Sequence, residues 1–172
     1  MVIIARSVCW LIVLTTFCLV SRWSLAEGFL SSDLAHLGDT PDRIKSQFGD
    51  PTMKLEPGDV PAPADIAYWY VVAGKHFSVA FYFVDGTCGE IRIIRSSHSE
   101  PFSMEDLRAD FEEYTGVQSD GCSAVDESDL KSIVSTEQKC LARTVDPTTL
   151  YIEDFRYFAY EVQQSRGATE PP

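Results

Sequence analysis

The chain has 172 residues, with 14 Lys and Arg against 26 Asp and Glu, for a formal charge of −12. That acidity repels phosphate backbones and anionic lipid surfaces, and no basic stripe overrides it, so no nucleic-acid partner is expected. No Gly-x-Ser-x-Gly, phosphate loop, dinucleotide fingerprint or Cys-x-x-Cys occurs, which removes the commonest signatures of enzymes and cofactor proteins; no cofactor is expected.

Residues 1–26 read as a cleaved signal peptide. Arg6 supplies the early positive charge, an apolar run extends from Val8 to Val20, and Ser24-Leu25-Ala26 offers small residues for cleavage after Ala26. The run is shorter than the roughly twenty residues of a membrane span, so no membrane insertion is expected after cleavage. Phe17 precedes Cys18 where a lipobox needs a small residue. The expected location is secreted or periplasmic. Cleavage removes Arg6 and Arg22 and leaves 12 basic against 26 acidic residues, a charge of −14.

Three cysteines then remain, Cys88, Cys122 and Cys140, enough for one disulfide and one free thiol in an oxidising compartment. Pairs 88–122, 88–140 and 122–140 are all open. The favoured pair is Cys122–Cys140, which would staple the least regular part of the chain and contribute about 3 kcal/mol.

Phe29, Leu30, Leu34 and Leu37 have helical spacing in a short lead-in over 27–38, which Gly38 ends. Thr40, Pro41 and Asp42 start a helix as cap, first residue and dipole partner. Pro57, Gly58, Pro61 and Pro63 mark a loop over 56–65. Strands are predicted over 66–72, over 77–83, where Phe77, Val79, Phe81 and Phe83 alternate with Ser78, Ala80 and Tyr82, and over 90–96. Asp85-Gly86 turns the chain between the last two. Ser103 and Asp106 open a second helix that Gly116 ends. Residues 117–137 carry no assignable pattern. A strand over 139–145 follows, then a turn at 146–149 and a long aromatic strand or strand pair over 150–162, with helix as its rival. The tail over 165–172 is expected to be disordered. Residues 27–164 thus read as a single α+β domain, an antiparallel sheet packed on one face by short helices.

The segment from Leu37 to Pro51 carries Leu-Gly, a capping threonine, a short helix and Phe48-Gly49-Asp50-Pro51, with antiparallel strands after it. Over about residues 30–96 this resembles the opening of SmpA/OmlA-type (BamE-like) domains, broadly similar to β-lactamase-inhibitor-protein modules. The resemblance implies an exported, non-catalytic interaction module. It carries over no functional residue, and the chain departs from it by lacking a lipobox and by adding a second helix and a terminal hairpin.

His36, His76 and His98 lack the spacing of paired metal ligands, and the acidic stretch from Asp120 to Asp129 lacks the ligand alternation of a calcium loop, so no metal site is expected. Glu112-Glu113 and Glu153-Asp154 are adjacent in sequence and read as surface charge. Cys88, between Gly86 and Gly89, is a candidate nucleophile if His76 or His98 comes near with Asp85 behind it. The aromatics are more suggestive. Tyr68, Trp69 and Tyr70 run consecutively, so a strand sends them to both faces, and the cluster from Tyr151 to Tyr160 repeats the pattern. Trp69 and Tyr157 are the binding candidates. The function expected is an exported, non-enzymatic protein-binding or envelope-associated module using an aromatic sheet face. The alternatives are a thiol-dependent secreted enzyme centred on Cys88 and a small-molecule carrier. The partner's identity and the oligomeric state are not legible.

Overall fold

Asp85 and Gly86 both take positive φ, 50° and 75°, the left-handed pair that a tight hairpin requires. They join the two longest strands of a computed structural model that describes residues 35–72, 77–96, 99–127 and 130–167, the last three as backbone only. Leu34–Pro172 forms one compact unit. The expected signal peptide over 1–26, most of the expected lead-in over 27–38, His76, His98 and residues 168–172 lie outside the described residues.

After helix α1 (Pro41–Phe48), strands β1 (Met53–Leu55), β2 (Ile66–Val71), β3 (Phe77–Val84) and β4 (Thr87–Arg95) form a meander. Helix α2 (Met104–Thr115) and a 3₁₀ turn (Ser119–Gly121) lead to a second meander of β5 (Ser123–Glu127), β6 (Leu130–Ser135), β7 (Cys140–Asp146) and β8 (Thr149–Asp154). Helix α3 (Phe155–Gly167) ends the described chain. The last strand of each meander pairs with the other, so all eight strands form one antiparallel sheet in the order β1-β2-β3-β4-β8-β7-β6-β5. The α+β class and the antiparallel sheet follow directly.

Local chemistry sets the helix starts. Thr40 accepts the Arg43 amide at 3.3 Å, and Ser103 with Asp106 closes a reciprocal capping box. Ile44 of α1 is buried, and the Phe48 ring lies 5.5 Å from those of Tyr70 and Phe81. Helix α2 buries Leu107, Phe111 and Tyr114 and contacts β6, β7 and β8. Helix α3 contacts β4 and β8, and its Tyr157 packs with Ala67, Ala80 and Tyr82. By register, Tyr70 and Phe81 point to one side of the sheet and Ala67, Ala80 and Tyr82 to the other, so the ring contacts of α1 and α3 fall on opposite sides.

Three segments differ from the expectations drawn above. The aromatic run over 150–162 is a strand only to Asp154. There the Asp154 carboxylate accepts the amides of Arg156 and Tyr157, both at 2.9 Å, and caps α3. Tyr157 and Glu161, four residues apart, then share a helix face. The polar stretch 117–137 holds both β5 and β6. All five β5 residues are exposed at the sheet edge, so no buried face writes an alternating pattern into them. The tail expected to be disordered begins inside α3, which runs to Gly167.

The bond between Cys122 and Cys140 is not formed; among the described residues Cys88, Cys122 and Cys140 are free thiols. Ser123 pairs with Val134 and Cys140 with Ser135, so β6 runs between the two cysteines. Two strand spacings come to about 9.6 Å, beyond the reach of a disulfide.

Gly89 sets the seat of α3, because a Cβ there would meet the Tyr157 ring at 3.3 Å. Gly89→Ala should lower stability by about 1–3 kcal/mol as Tyr157 is displaced. Urea unfolding checks this, and an unchanged midpoint would show that the ring yields freely.

Candidate functional site

Strand periodicity places Glu90 and Arg92 on one side of β4, Tyr151 and Glu153 on the same side of β8, and Arg143 beside them on β7. One row across the sheet reads Leu141, Glu153, Glu90, Tyr82 and Ala67. The next reads Arg143, Tyr151, Arg92, Ala80 and Trp69. Antiparallel pairing therefore sets two carboxylates directly opposite each other, with an arginine two residues from one and diagonal to the other. Both glutamates have no solvent exposure.

The guanidiniums offset this burial. Arg92 engages both Glu90 oxygens, through Nε on Oε1 and through Nη2 on Oε2 at 3.3 Å. Arg143 forks onto Glu153 with two bonds of 3.0 Å, and its Nη2 also donates to Glu161 of α3 at 2.5 Å. The same cations stack on aromatic rings. Arg92 lies 4.2 Å from the Tyr82 centroid and 4.5 Å from that of Tyr151, while Arg143 lies 5.2 Å from Tyr151 and 5.6 Å from Phe158. The result is an alternating strip of aromatic and guanidinium groups with buried carboxylates beside it.

Three carboxylates face two guanidiniums, so the fully ionised cluster holds one uncompensated negative charge. Burial, with Glu90 and Glu161 nearby, pushes Glu153 up to about 7 against the pull of Arg143. Burial also raises Glu90, against Arg92 and Tyr157. Tyr157 is 1% exposed, and its hydroxyl, raised by burial and by Glu90, faces that carboxylate without a hydrogen bond of normal geometry. Oxygens of Glu90, Glu153 and Glu161 lie within 4.8 Å of one another, close enough to share an ion. The two arginines already occupy those oxygens, and a divalent cation beside two guanidiniums would reverse the charge imbalance. A proton fits this cluster better than a metal does.

The residues singled out in sequence are dispersed. Trp69 is half-buried in the arginine row and packs against Ala67, Ala80, Tyr82 and Tyr157. Tyr157 lies in the core on a helix, where it cannot serve as a surface contact. Cys88 is fully buried, its thiol hydrogen-bonded to the Glu90 carbonyl and pushed well up by burial and by Asp39, the opposite of an activated thiolate. His36 is tied through its amide to Asp39. Glu153, read as surface charge beside Asp154, is instead fully buried on the sheet.

Glu90, Arg92, Arg143 and Glu161 were not recognised as a group. Each sits where a solvent-facing residue of an amphipathic strand or helix would sit. The only clue was charge of both signs on the same parity of neighbouring strands, and reading it needs the β4–β8 pairing.

Tyr157→Ala should cost about 3–5 kcal/mol in urea unfolding, and Tyr157→Phe, which removes only the unpartnered hydroxyl, should cost less than about 1 kcal/mol. An exposed contact residue would instead change stability by less than about 0.5 kcal/mol on truncation. In native alkylation followed by peptide mapping, Cys122 should react first and Cys88 last, with Cys88 modified only as the chain unfolds. No family model matches the chain, and neither does any curated protein or solved structure.

Proposed function

We propose that the chain is an exported, non-enzymatic protein-binding or envelope-associated module, secreted or periplasmic, that engages a protein partner through the sheet face bearing Trp69. In this reading α1 and α2 cover the opposite, apolar face, and the SmpA/OmlA-like opening from Leu37 to Pro51 belongs to the same picture. The observation that carries it is where exposed apolar groups fall. Among the described residues the large exposed ones are Met53, Val71, Val125, Leu130 and Val145. Met53 pairs with Trp69, Val71 lies two residues along from Trp69, and Val125 leads through Ser132 to Arg143 in the same row. Leu130 is two residues from Ser132, and Val145 sits at the β7 bulge. Four of the five thus lie on the Trp69 side.

Apolar groups on a rigid sheet lose little conformational freedom on binding, and a half-buried tryptophan flanked by them has the character of a binding anchor. Met53, Trp69 and Val71 lie together on β1 and β2, and Val71 is 61% exposed. The chain's acidity favours a partner with a basic rim around an apolar centre.

Val71→Asp should leave the unfolding midpoint within about 0.5 kcal/mol of wild type yet weaken partner capture from an extracytoplasmic extract at least tenfold, roughly 1.4 kcal/mol. Trp69→Ala should act in the same direction. Capture that survives both substitutions, or a well-folded chain that captures nothing, would refute the reading.

A further inference from the structure

Two contacts of helix α3 with the sheet bear on the Glu90, Glu153 and Glu161 cluster. One is the Tyr157 ring seated on Gly89 within the Ala67, Ala80 and Tyr82 cluster. The other is Glu161, which reaches the Arg143 already forked onto Glu153. The charged and titratable groups around this seat are Tyr82 from β3, Glu90 and Arg92 from β4, Arg143 from β7, Tyr151, Glu153 and Asp154 from β8, and Arg156, Tyr157 and Glu161 from α3 itself, with Asp154 and Arg156 paired to each other at 2.7 Å. The tyrosines around it are held up by burial and are neutral at ordinary pH. Besides the Asp154–Arg156 pair there are three carboxylates and two guanidiniums, one negative charge in excess, with Glu90 and Glu153 fully buried and the Glu161 side chain 32% exposed.

We propose that α3 is a proton-controlled cover: it stays docked while the Glu90, Glu153 and Glu161 cluster holds one proton, and it lifts when that proton passes to water, uncovering the Tyr82, Arg92, Tyr151 and Arg143 strip. The docked state removes solvent from two opposed carboxylates and brings a third beside them. Lifting α3 carries Glu161 away and returns water to the other two. A neutral cluster gains from closure, and a negative one does not.

The sign follows from linkage. Glu153 titrates near 7 in the closed site against an ordinary 4.5. Closure is therefore best supported below about 4.5, and the support is lost progressively as pH rises through about 7. Between pH 5.5 and 8.5 those two values lower the docking equilibrium on the order of 30-fold.

Hydrogen exchange of the full chain, read by mass spectrometry on peptides of α3 and corrected for intrinsic rates, measures this with no partner present. The outcome is therefore separate from that of the binding reading. The wild type should lose roughly 30-fold of α3 protection from pH 5.5 to 8.5, while β3 and β4 keep theirs. Glu161→Gln leaves two carboxylates for two guanidiniums and should hold α3 closed at both pH values. Glu153→Gln leaves the same charge balance and serves if the first variant does not fold. Equal α3 protection at both pH values, a Glu161→Gln chain as pH-sensitive as wild type, or loss of protection across the whole sheet would each overturn the proposal.

Discussion

The opposition of Glu90 and Glu153 across the β4–β8 pair is the constraint around which the rest of the sheet is organised. Two ionised carboxylates without water would cost several kcal/mol each. Burial is sustainable only because strand alternation brings Arg92 and Arg143 onto the same side, at fork distance, from β4 and β7. Those arginines in turn need flat neighbours, and Tyr82, Tyr151 and Phe158 supply them. The two meanders are joined at this seam. A slip of one residue there would send the glutamates among Ile91, Ile152 and Phe81 on the apolar side.

Such a network adds little net stability compared with an apolar core of the same volume, and its better-supported role is in specifying arrangement. Here it specifies which strand ends which meander. Neither Glu90 nor Glu153 can be buried alone, and each fork leaves the other carboxylate still to be compensated. The pairing of β4 with β8 is thus tied to charge, while the pairings within each meander are set by short turns such as Asp85-Gly86. Helix α3 completes the seam by adding Tyr157 over Gly89 and Glu161 against Arg143. Glu90 and Glu153 are fully buried there, and burial is what raises both carboxyls.

Much of the first meander was legible because its signals are local. The strict alternation from Phe77 to Phe83, the positive-φ turn after it, the Thr40 cap of α1 and the capping box of α2 need only a few neighbouring residues. The terminal helix was less so. An aromatic run from Tyr151 to Tyr160 satisfies strand propensity throughout, and what divides it is one carboxylate, Asp154, turning back onto two amides. Strand β5, exposed along its whole length, shows no buried alternation at all. The free Cys122 and Cys140 make the same point, since spacing along the chain says nothing about the strand that lies between them.

By itself the sequence determined the antiparallel sheet with helices, the hairpin at Asp85-Gly86, the helix starts at Thr40 and Ser103, and a strongly acidic composition. Each follows from composition or from residues within a few positions of one another. Only the tertiary structure decided that Tyr157 is core, that Cys88 is buried, and that Glu90, Glu153 and Glu161 share a space with two arginines. The physical reason is that an amphipathic pattern marks which residues share a side of an element, not whether that side meets water or another element. Here α3 returned to the polar side of the sheet and closed it.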